Sequence, residues 1–348
     1  MVNHGKPGSV PERGLSTRAF ILRELRRDPG APVSGEDLAK GLGISRVAVW
    51  KGVRSLVAAG YPVESGESGY RLPPVWKDDF LYPWEFGERE ALFRYFSATG
   101  STMDRARELA EQPASELSFP SGTVIAAEVQ SAGRGRNGRN WASMPGGLFF
   151  TILEKPDLAV ADYPLFSMAA QIGAAESAAA LCGREVRLRW PNDVYVGGKK
   201  VAGVLTELSG QGDRLRWISC GVGINVNNRP AGADAVSCAE IAGRPLSRRE
   251  GLGVFLDAFE KLGKPGDPKE IGRRWNSLAQ GIGSPVRVIG ADHGEGKEPG
   301  AAKLLDTGVF AGIDPQGRCV IRNERGEARY SPGAASLIYP EPVSPTSP

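Results

Sequence analysis

Residues 132–141 read AGRGRNGRNW, and this stretch constrains the fold of the chain more than any other. Gly133, Gly135 and Gly138 meet the spacing G-x-G-x-x-G. In a dinucleotide-binding unit that spacing lies between a strand and a helix, and backbone N–H groups at the helix start grip pyrophosphate. The preceding GTVIAAEVQ (122–130) suits a strand. The following RNWASMPGG does not suit a helix, because Asn140, Pro145, Gly146 and Gly147 all oppose one. Arg134, Arg136 and Arg139 stand among the glycines, so the loop carries its own cations. The pattern predicts an anion-gripping loop outside the doubly wound dinucleotide fold.

Other chemistries are excluded by what is scarce. Only two histidines occur, His4 near the start and His293 in the Gly-rich GADHGEGKEPG, so neither a Ser-His-Asp triad nor a His-ligated metal is expected. Cys182, Cys220, Cys238 and Cys319 are scattered and form no C-x-x-C pair, which predicts a reduced, cytoplasmic protein. The opening MVNHGKPGSVPERG has no apolar core, and no run of about 18 apolar residues is seen, so neither a secretory signal nor a membrane span is expected. At 348 residues, the length favours about two or three domains.

The expected class is α+β. Residues 1–14 are Gly, Pro and charge, and predict a disordered tail. Residues 15–73 predict three helices and a hairpin. The first helix covers roughly 17–28, with Ile21, Leu22 and Leu25 on one face, and Pro29–Gly30 stops it. The second follows Ser34, in an arrangement resembling a capping box with Asp37, and Gly43 turns the chain. Ser45 is placed to cap a third helix whose Val49, Val53, Leu56 and Val57 make a buried stripe. Arg46, Trp50 and Arg54 recur on another side, with Lys51 beside them. With the Gly-tipped YPVESGESGYRL this reads as a winged helix-turn-helix. Its third helix holds three cations and no acid, which suits phosphate contacts in a major groove. A solvated basic face is the plainer alternative, and Gly52 in mid-helix, costing about 1 kcal/mol, argues against the helix. Residues 74–88 read as a Pro- and aromatic-rich linker, 89–283 as a catalytic block and 341–348 as a tail. Residues 284–340 hold short strands separated by turns and predict a small barrel, with a flexible polar loop over 290–301.

Three more stretches carry candidate chemistry. In VRLRWPNDVYVGGKKVAGVLTEL (186–208), alternation places Val186, Leu188 and Trp190 on one face and Arg187 and Arg189 on the other. Lys199 and Lys200 follow the hairpin tip, within reach of a phosphate. In CGVGINVN (220–227), Gly221 and Gly223 interrupt a strand, which signals close approach of a backbone or ligand. Asn225 has the amide to meet an adenine edge. Ser101 and Thr102 precede an amphipathic helix, where plain N-capping is the simpler reading.

Together these stretches resemble the bifunctional biotin protein ligases that double as repressors of biotin synthesis. The likeness rests on GRGRNGRNW (133–141), RWPND (189–193), GKKVAGVLTE (198–207) and GVGIN (221–225). It implies a central mixed β-sheet flanked by helices, of the class II synthetase/biotin-lipoate ligase-like kind, and a C-terminal SH3-like β-barrel. It implies an ATP-dependent reaction in which the carboxylate of biotin attacks the α-phosphate. The biotinyl-5′-AMP so formed passes biotin to a lysine of the biotin carboxyl carrier protein. Mg²⁺ is expected with ATP, its ligands unassigned. Operator DNA is the second implied partner, bound through Ser45, Arg46, Trp50, Lys51 and Arg54 by a homodimer loaded with the adenylate. The resemblance assigns Ser101, Thr102, Met103, Gln130, Gly133, Arg134, Gly135, Arg136, Arg189 and Gly203 to biotin. It assigns Arg134, Arg136, Arg139, Trp141, Asn192, Lys200 and Asn225 to ATP or the adenylate, and catalysis to Arg189, Arg136 and Lys200. Three positions depart from the family: Arg189 replaces a lysine, Met103 an asparagine and Ala334 a glutamate. The first two leave room for a lipoate-type ligase or for a biotin-sensing regulator without catalysis.

Overall fold

The computed structural model describes residues 15–112, 119–263, 267–290 and 303–339. The expectations for the two tails and for residues 291–301, and with them both histidines, lie outside those residues. Two compact units divide between Phe93 and Arg94.

The first unit starts with α1 (Thr17–Arg27), α2 (Gly35–Leu42) and α3 (Arg46–Ala58). Each begins on a serine whose hydroxyl accepts backbone N–H groups: Ser16 from Ala19, Ser34 from Glu36 and Asp37, Ser45 from Ala48. Gly43 closes α2 at φ 66°, a conformation that costs glycine little. Gly52 lets α1 and α3 approach closely, since a Cβ there would stand 2.8 Å from Ile21 Cδ1 and 2.9 Å from Thr17 Cγ2 and would make one of them shift. Its helix-propensity cost is thus the condition for close contact between α1 and α3. Val57 departs from the expected buried stripe and is 49% exposed. Eight residues of α-helix turn it about 80° away from Val49. The hairpin is β1 (Glu64–Gly66) with β2 (Gly69–Arg71).

The expected linker is part of this unit's core. Trp76, Phe80, Tyr82 and Trp84 pack on the buried cluster that includes Ile21, Leu56 and Tyr61. The Glu85 carboxylate is wholly buried and takes both arms of Arg26, at 2.8 and 3.0 Å. Tyr61 donates its hydroxyl to Glu85 and receives the Trp84 indole N–H at 3.1 Å. Burial, and then the charge of Glu85, push the Tyr61 phenol above its usual range.

The second unit is built on a seven-stranded sheet. Its strands are β3 (Phe93–Phe96), β4 (Thr123–Ala127), β5 (Leu148–Glu154), β6 (Arg187–Arg189), β7 (Asp193–Val196), β8 (Lys199–Gln211) and β9 (Arg214–Ile224). Their order is β3-β4-β5-β9-β8-β7-β6. Neighbours from β4 to β6 pair antiparallel, while Thr99 and Gln130, beyond β3 and β4, form a parallel bridge, so the sheet is mixed. The period of two sorts side chains between faces. Thr151 and Gly221, paired across β5 and β9, face α4 (Thr102–Ala110). Phe150 faces the other way and meets Phe255 edge-on at 4.7 Å. That second layer holds α5 (Tyr163–Cys182), the short α6 (Cys238–Ala242), α7 (Arg248–Gly263) and α8 (Pro268–Leu278). By length and composition α5 is apolar enough to cross a membrane, against the expectation from sequence. It is 78% buried within the fold, which accounts for that composition.

Five further strands are β10 (Pro285–Gly290), β11 (Leu304–Ile313), β12 (Cys319–Asn323), β13 (Gly326–Tyr330) and β14 (Ala335–Ile338). They form an antiparallel sheet in the order β13-β12-β11-β10-β14. It is joined to the catalytic block in one unit. The Trp190 indole donates to the Gly317 carbonyl at 3.2 Å, and Asn276 exchanges two hydrogen bonds with the Ile313 backbone.

Candidate active site

The loop between β4 and β5 meets the α4 face of the sheet over a cavity. Its floor is glycine for a steric reason. A Cβ on Gly223 would lie 2.6 Å from the Trp141 ring, and one on Gly221 would lie 2.6 Å from Met103 Sδ. Gly203, paired with Gly223 across β8 and β9, would bring a Cβ within 3.0 Å of the same indole. The close approach that strand glycines signal is therefore made by Trp141 and Met103. The Trp141 Nε1 is buried and has no hydrogen-bond partner among the described residues.

One chain of hydrogen bonds orients the polar wall. Thr151 donates to Thr102 Oγ1 at 2.8 Å. Thr102 donates from its backbone nitrogen and its hydroxyl to Gln130 Oε1, at 2.8 and 3.1 Å. Gln130 Nε2 then donates to Ser143 Oγ at 2.8 Å, and Ser143 to the Trp141 carbonyl at 3.1 Å. Ser101 caps α4 by accepting from Met103 N at 3.2 Å, while also lining the cavity.

The loop arginines divide by partner. Arg134 is held at 2.9 Å by Asp104 and at 2.9 Å by Glu207, so its charge is matched. Arg107 reaches Glu207 as well, at 2.7 Å. Arg136 donates only to neutral acceptors: Pro332 O at 2.6 Å, Ser336 Oγ at 3.3 Å, Ala335 O at 3.3 Å and Asn192 Oδ1 at 3.4 Å. Burial depresses its pKa, Asp193 partly offsets that, and Arg139 adds to it. A partly buried cation with no contacting carboxylate among the described residues favours an arriving anion. Lys200 Nζ lies 2.7 Å from Asp193 and 5.3 Å from the Trp141 ring centre.

The cavity thus gathers Ser101, Thr102, Met103 and Gln130 with Arg134, Gly135, Arg136, Arg139 and Trp141. Asn192, Lys200 and Gly203 join them. Gly133 lines the adjoining outer cleft. Arg189 stands apart from that group. It lies outside the lining, stacked 4.0 Å over the Tyr195 ring and hydrogen bonded to Gln280 at 2.8 Å. The strand alternation gave its face, but β6 is the far edge of the sheet and aromatic neighbours hold the guanidinium there. Asn225 also lies outside the lining, buried and accepting from Asn228 at 2.9 Å. Thr151, Ser143, Asp104 and Glu207 were not singled out from sequence. A lone threonine in the apolar LFFTILE was the one available signal.

In the first unit Arg46, Trp50, Lys51 and Arg54 are exposed on α3, with Arg54 5.1 Å over the Trp50 ring. The Ser45 hydroxyl is occupied as the helix cap.

Residues 96–225 match the model of the biotin/lipoate A/B protein ligase family, and residues 17–71 match an HTH domain. The chain is 31% identical to the bifunctional ligase/repressor BirA of Bacillus spizizenii, over 89% of this chain and 96% of the relative. It is 31% identical to the protein of that name from Escherichia coli K12, over 84% of this chain and 88% of the relative. Among solved structures, the Aquifex aeolicus biotin protein ligase in complex with biotin and ATP superposes with a TM-score of 0.58. That pair is 29% identical and covers 71% of this chain and 99% of the other.

Proposed function

The chain belongs to the family of the bifunctional ligase/repressor BirA, and on that premise we propose how its residues divide the work. It is an ATP-dependent biotin protein ligase that also acts as a biotin-responsive repressor. The observation that carries the site reading is that four separated signature stretches meet at one cavity.

Biotin's head group lies against Gln130 and Thr102, whose orientation the hydrogen-bond chain fixes. The adenine lies against Trp141, whose ring Gly203 and Gly223 allow to settle onto the sheet. The carboxylate of biotin attacks the α-phosphorus, the bond to the bridging oxygen breaks, and pyrophosphate leaves. Charge spreads over the phosphate oxygens during that step, and preorganised cations lower its barrier. Arg136 and Arg139 take that role, with Lys200 beside them sharing its charge with Asp193. Arg134, already neutralised by Asp104 and Glu207, fixes the loop instead. Asn225, buried and bonded to Asn228 just beyond β9, holds that strand end in shape beside the nucleotide. The loop excludes water from the mixed anhydride until a lysine amine of the carrier protein displaces AMP.

Mg²⁺ neutralises phosphate charge when it arrives with ATP. Among the described residues, no three His, Cys, Asp or Glu side chains are placed together to hold a metal ion. That donor set suits an ion carried by the nucleotide's phosphates and water rather than a protein cage. The exposed cations and Trp50 on α3 contact operator DNA, and the loaded protein dimerises through the central sheet. The C-terminal strands close as an SH3-like barrel. Four buried, unpaired cysteines support a reducing compartment, and the proposed one is the cytoplasm.

Exchange of labelled pyrophosphate into ATP, run with biotin or lipoate, tests the reading. Exchange with biotin alone, followed by labelling of an added carrier domain, is expected. Exchange with lipoate and not biotin overturns the substrate, and exchange with neither overturns the enzyme.

A further inference from the structure

Arg248 belongs to none of the signature stretches. It is the first residue of α7, and it is 4% exposed. A guanidinium so deeply buried must have its donors satisfied. Nη1 donates to Glu128 Oε2 at 2.6 Å and to the Gly147 carbonyl at 3.3 Å. Nη2 donates to Glu128 Oε1 at 3.4 Å. Glu128 directly follows β4, and Gly147 directly precedes β5. They are the two stems of the loop that carries Gln130, the three arginines and Trp141. The same corner is braced a second time. Asn227 donates its backbone N–H to the Gly146 carbonyl at 2.8 Å, while its side chain exchanges hydrogen bonds with Leu246 at 2.8 and 2.9 Å. Leu246 lies two residues before Arg248. The start of α7 therefore grips both ends of the loop.

We propose that Arg248 is a positioning residue for the ligand loop: it ties the loop's two stems together, so that Trp141 and the arginines meet the cavity in one register. The inference rests on reading that loop as the ligand-gripping element. An ion pair serving stability alone needs only Glu128. The bond to the opposite stem makes Arg248 a bridge, and that bridge needs a fork. Lysine offers a point charge and cannot span both acceptors with fixed geometry.

The test uses the full chain and the variants Arg248→Lys and Arg248→Met. The loop arginines are themselves tryptic sites, so cleavage there in ligand-free protein reports the tether without reference to any substrate. Arg248→Lys is expected to raise loop cleavage roughly fivefold, and to release preformed biotinyl-AMP about tenfold faster, the scale of one lost hydrogen bond to a charged group. KM for ATP rises more than kcat falls, and the melting temperature stays near that of the wild type. Unchanged loop cleavage and unchanged adenylate release in Arg248→Lys overturn the proposal. So does an Arg248→Met protein whose loop is cut faster only in step with cleavage at sites elsewhere in the chain. If instead the biotin reading fails, the wild type forms no adenylate, while the ligand-free cleavage comparison still decides the clamp.

Discussion

The indole of Trp141 rests on Gly223, with no space for a Cβ between ring and strand. Gly223→Ala is expected to displace the ring and cut adenylate formation about tenfold or more, a cost of roughly 1.4 kcal/mol at the transition state. Trp141→Ala should weaken ATP affinity by a similar factor and leave biotin affinity nearly unchanged. Isothermal titration with each ligand separates the two. Equal losses for both ligands would refute the adenine assignment.

Arg136 reaches Asn192 in the turn before β7, and Pro332 and Ser336 around the start of β14, a span that a forked donor covers. Arg136→Ala is expected to speed loss of biotinyl-AMP by about tenfold or more, the scale of hydrogen bonds to a charged group. Arg136→Lys should be nearly as defective, and Ser336→Ala should fall between it and the wild type. Adenylate release, followed by rapid dilution, ranks the three.

Arg189 stacks on Tyr195 and lies away from the cavity lining. Arg189→Lys is therefore expected to leave pyrophosphate exchange within about twofold. It should cost about 0.5–1 kcal/mol of stability through the lost ring contact. Denaturant unfolding supplies the second number. A collapse of exchange with normal stability would return Arg189 to the active site.

Glu85→Ala removes the two-armed partner of Arg26 and the acceptor of Tyr61 but leaves Arg26 paired with Asp78, so it is expected to cost the winged-helix unit about 1.5–3 kcal/mol. A fragment spanning 15–93 should melt cooperatively, whereas one ending at 73 lacks Trp76, Phe80, Tyr82 and Trp84 and should not. Tyr61 adds a pH signature. Its phenol is raised in the folded state, so its contribution is whole below the ordinary value near 10 and is lost as pH climbs above it. In Tyr61→Phe that alkaline loss should vanish. Thermal melts of the 15–93 fragment between pH 8 and pH 11, roughly the span around that ordinary value, report it.

Burial pushes the Cys220 and Cys319 thiols up to about 12, and all four cysteines are buried. An aromatic disulfide reagent is expected to modify the native protein only as fast as it opens. All four thiols should titrate at once in denaturant. Prompt reaction of the native protein would place a thiol at the surface.

Legibility followed the range of the interaction. Ser34, Gly43 and Ser45 announced the helix-turn-helix because caps and turns are settled within a few residues. The Arg26–Glu85 pair was invisible because its members are 59 positions apart, and neither looks unusual locally. Gly221 and Gly223 declared that something comes close, but not that Met103 and Trp141 are what comes. The arginine loop was legible as cationic. Its division into a neutralised Arg134 and an uncompensated Arg136 depends on Asp104, Glu207 and the turn before β14, all distant in sequence. Alternation gave the face of Arg189, while the neighbours that hold it came from Tyr195 and Gln280.

Gln130 shows what that division of labour asks of a guest. Both lone pairs of its carbonyl oxygen are committed to Thr102, and one amide hydrogen to Ser143. A single N–H remains to greet whatever enters. The pocket thus poses a one-sided question, answered by an oxygen or nitrogen lone pair at that spot and by nothing that offers only hydrogens there.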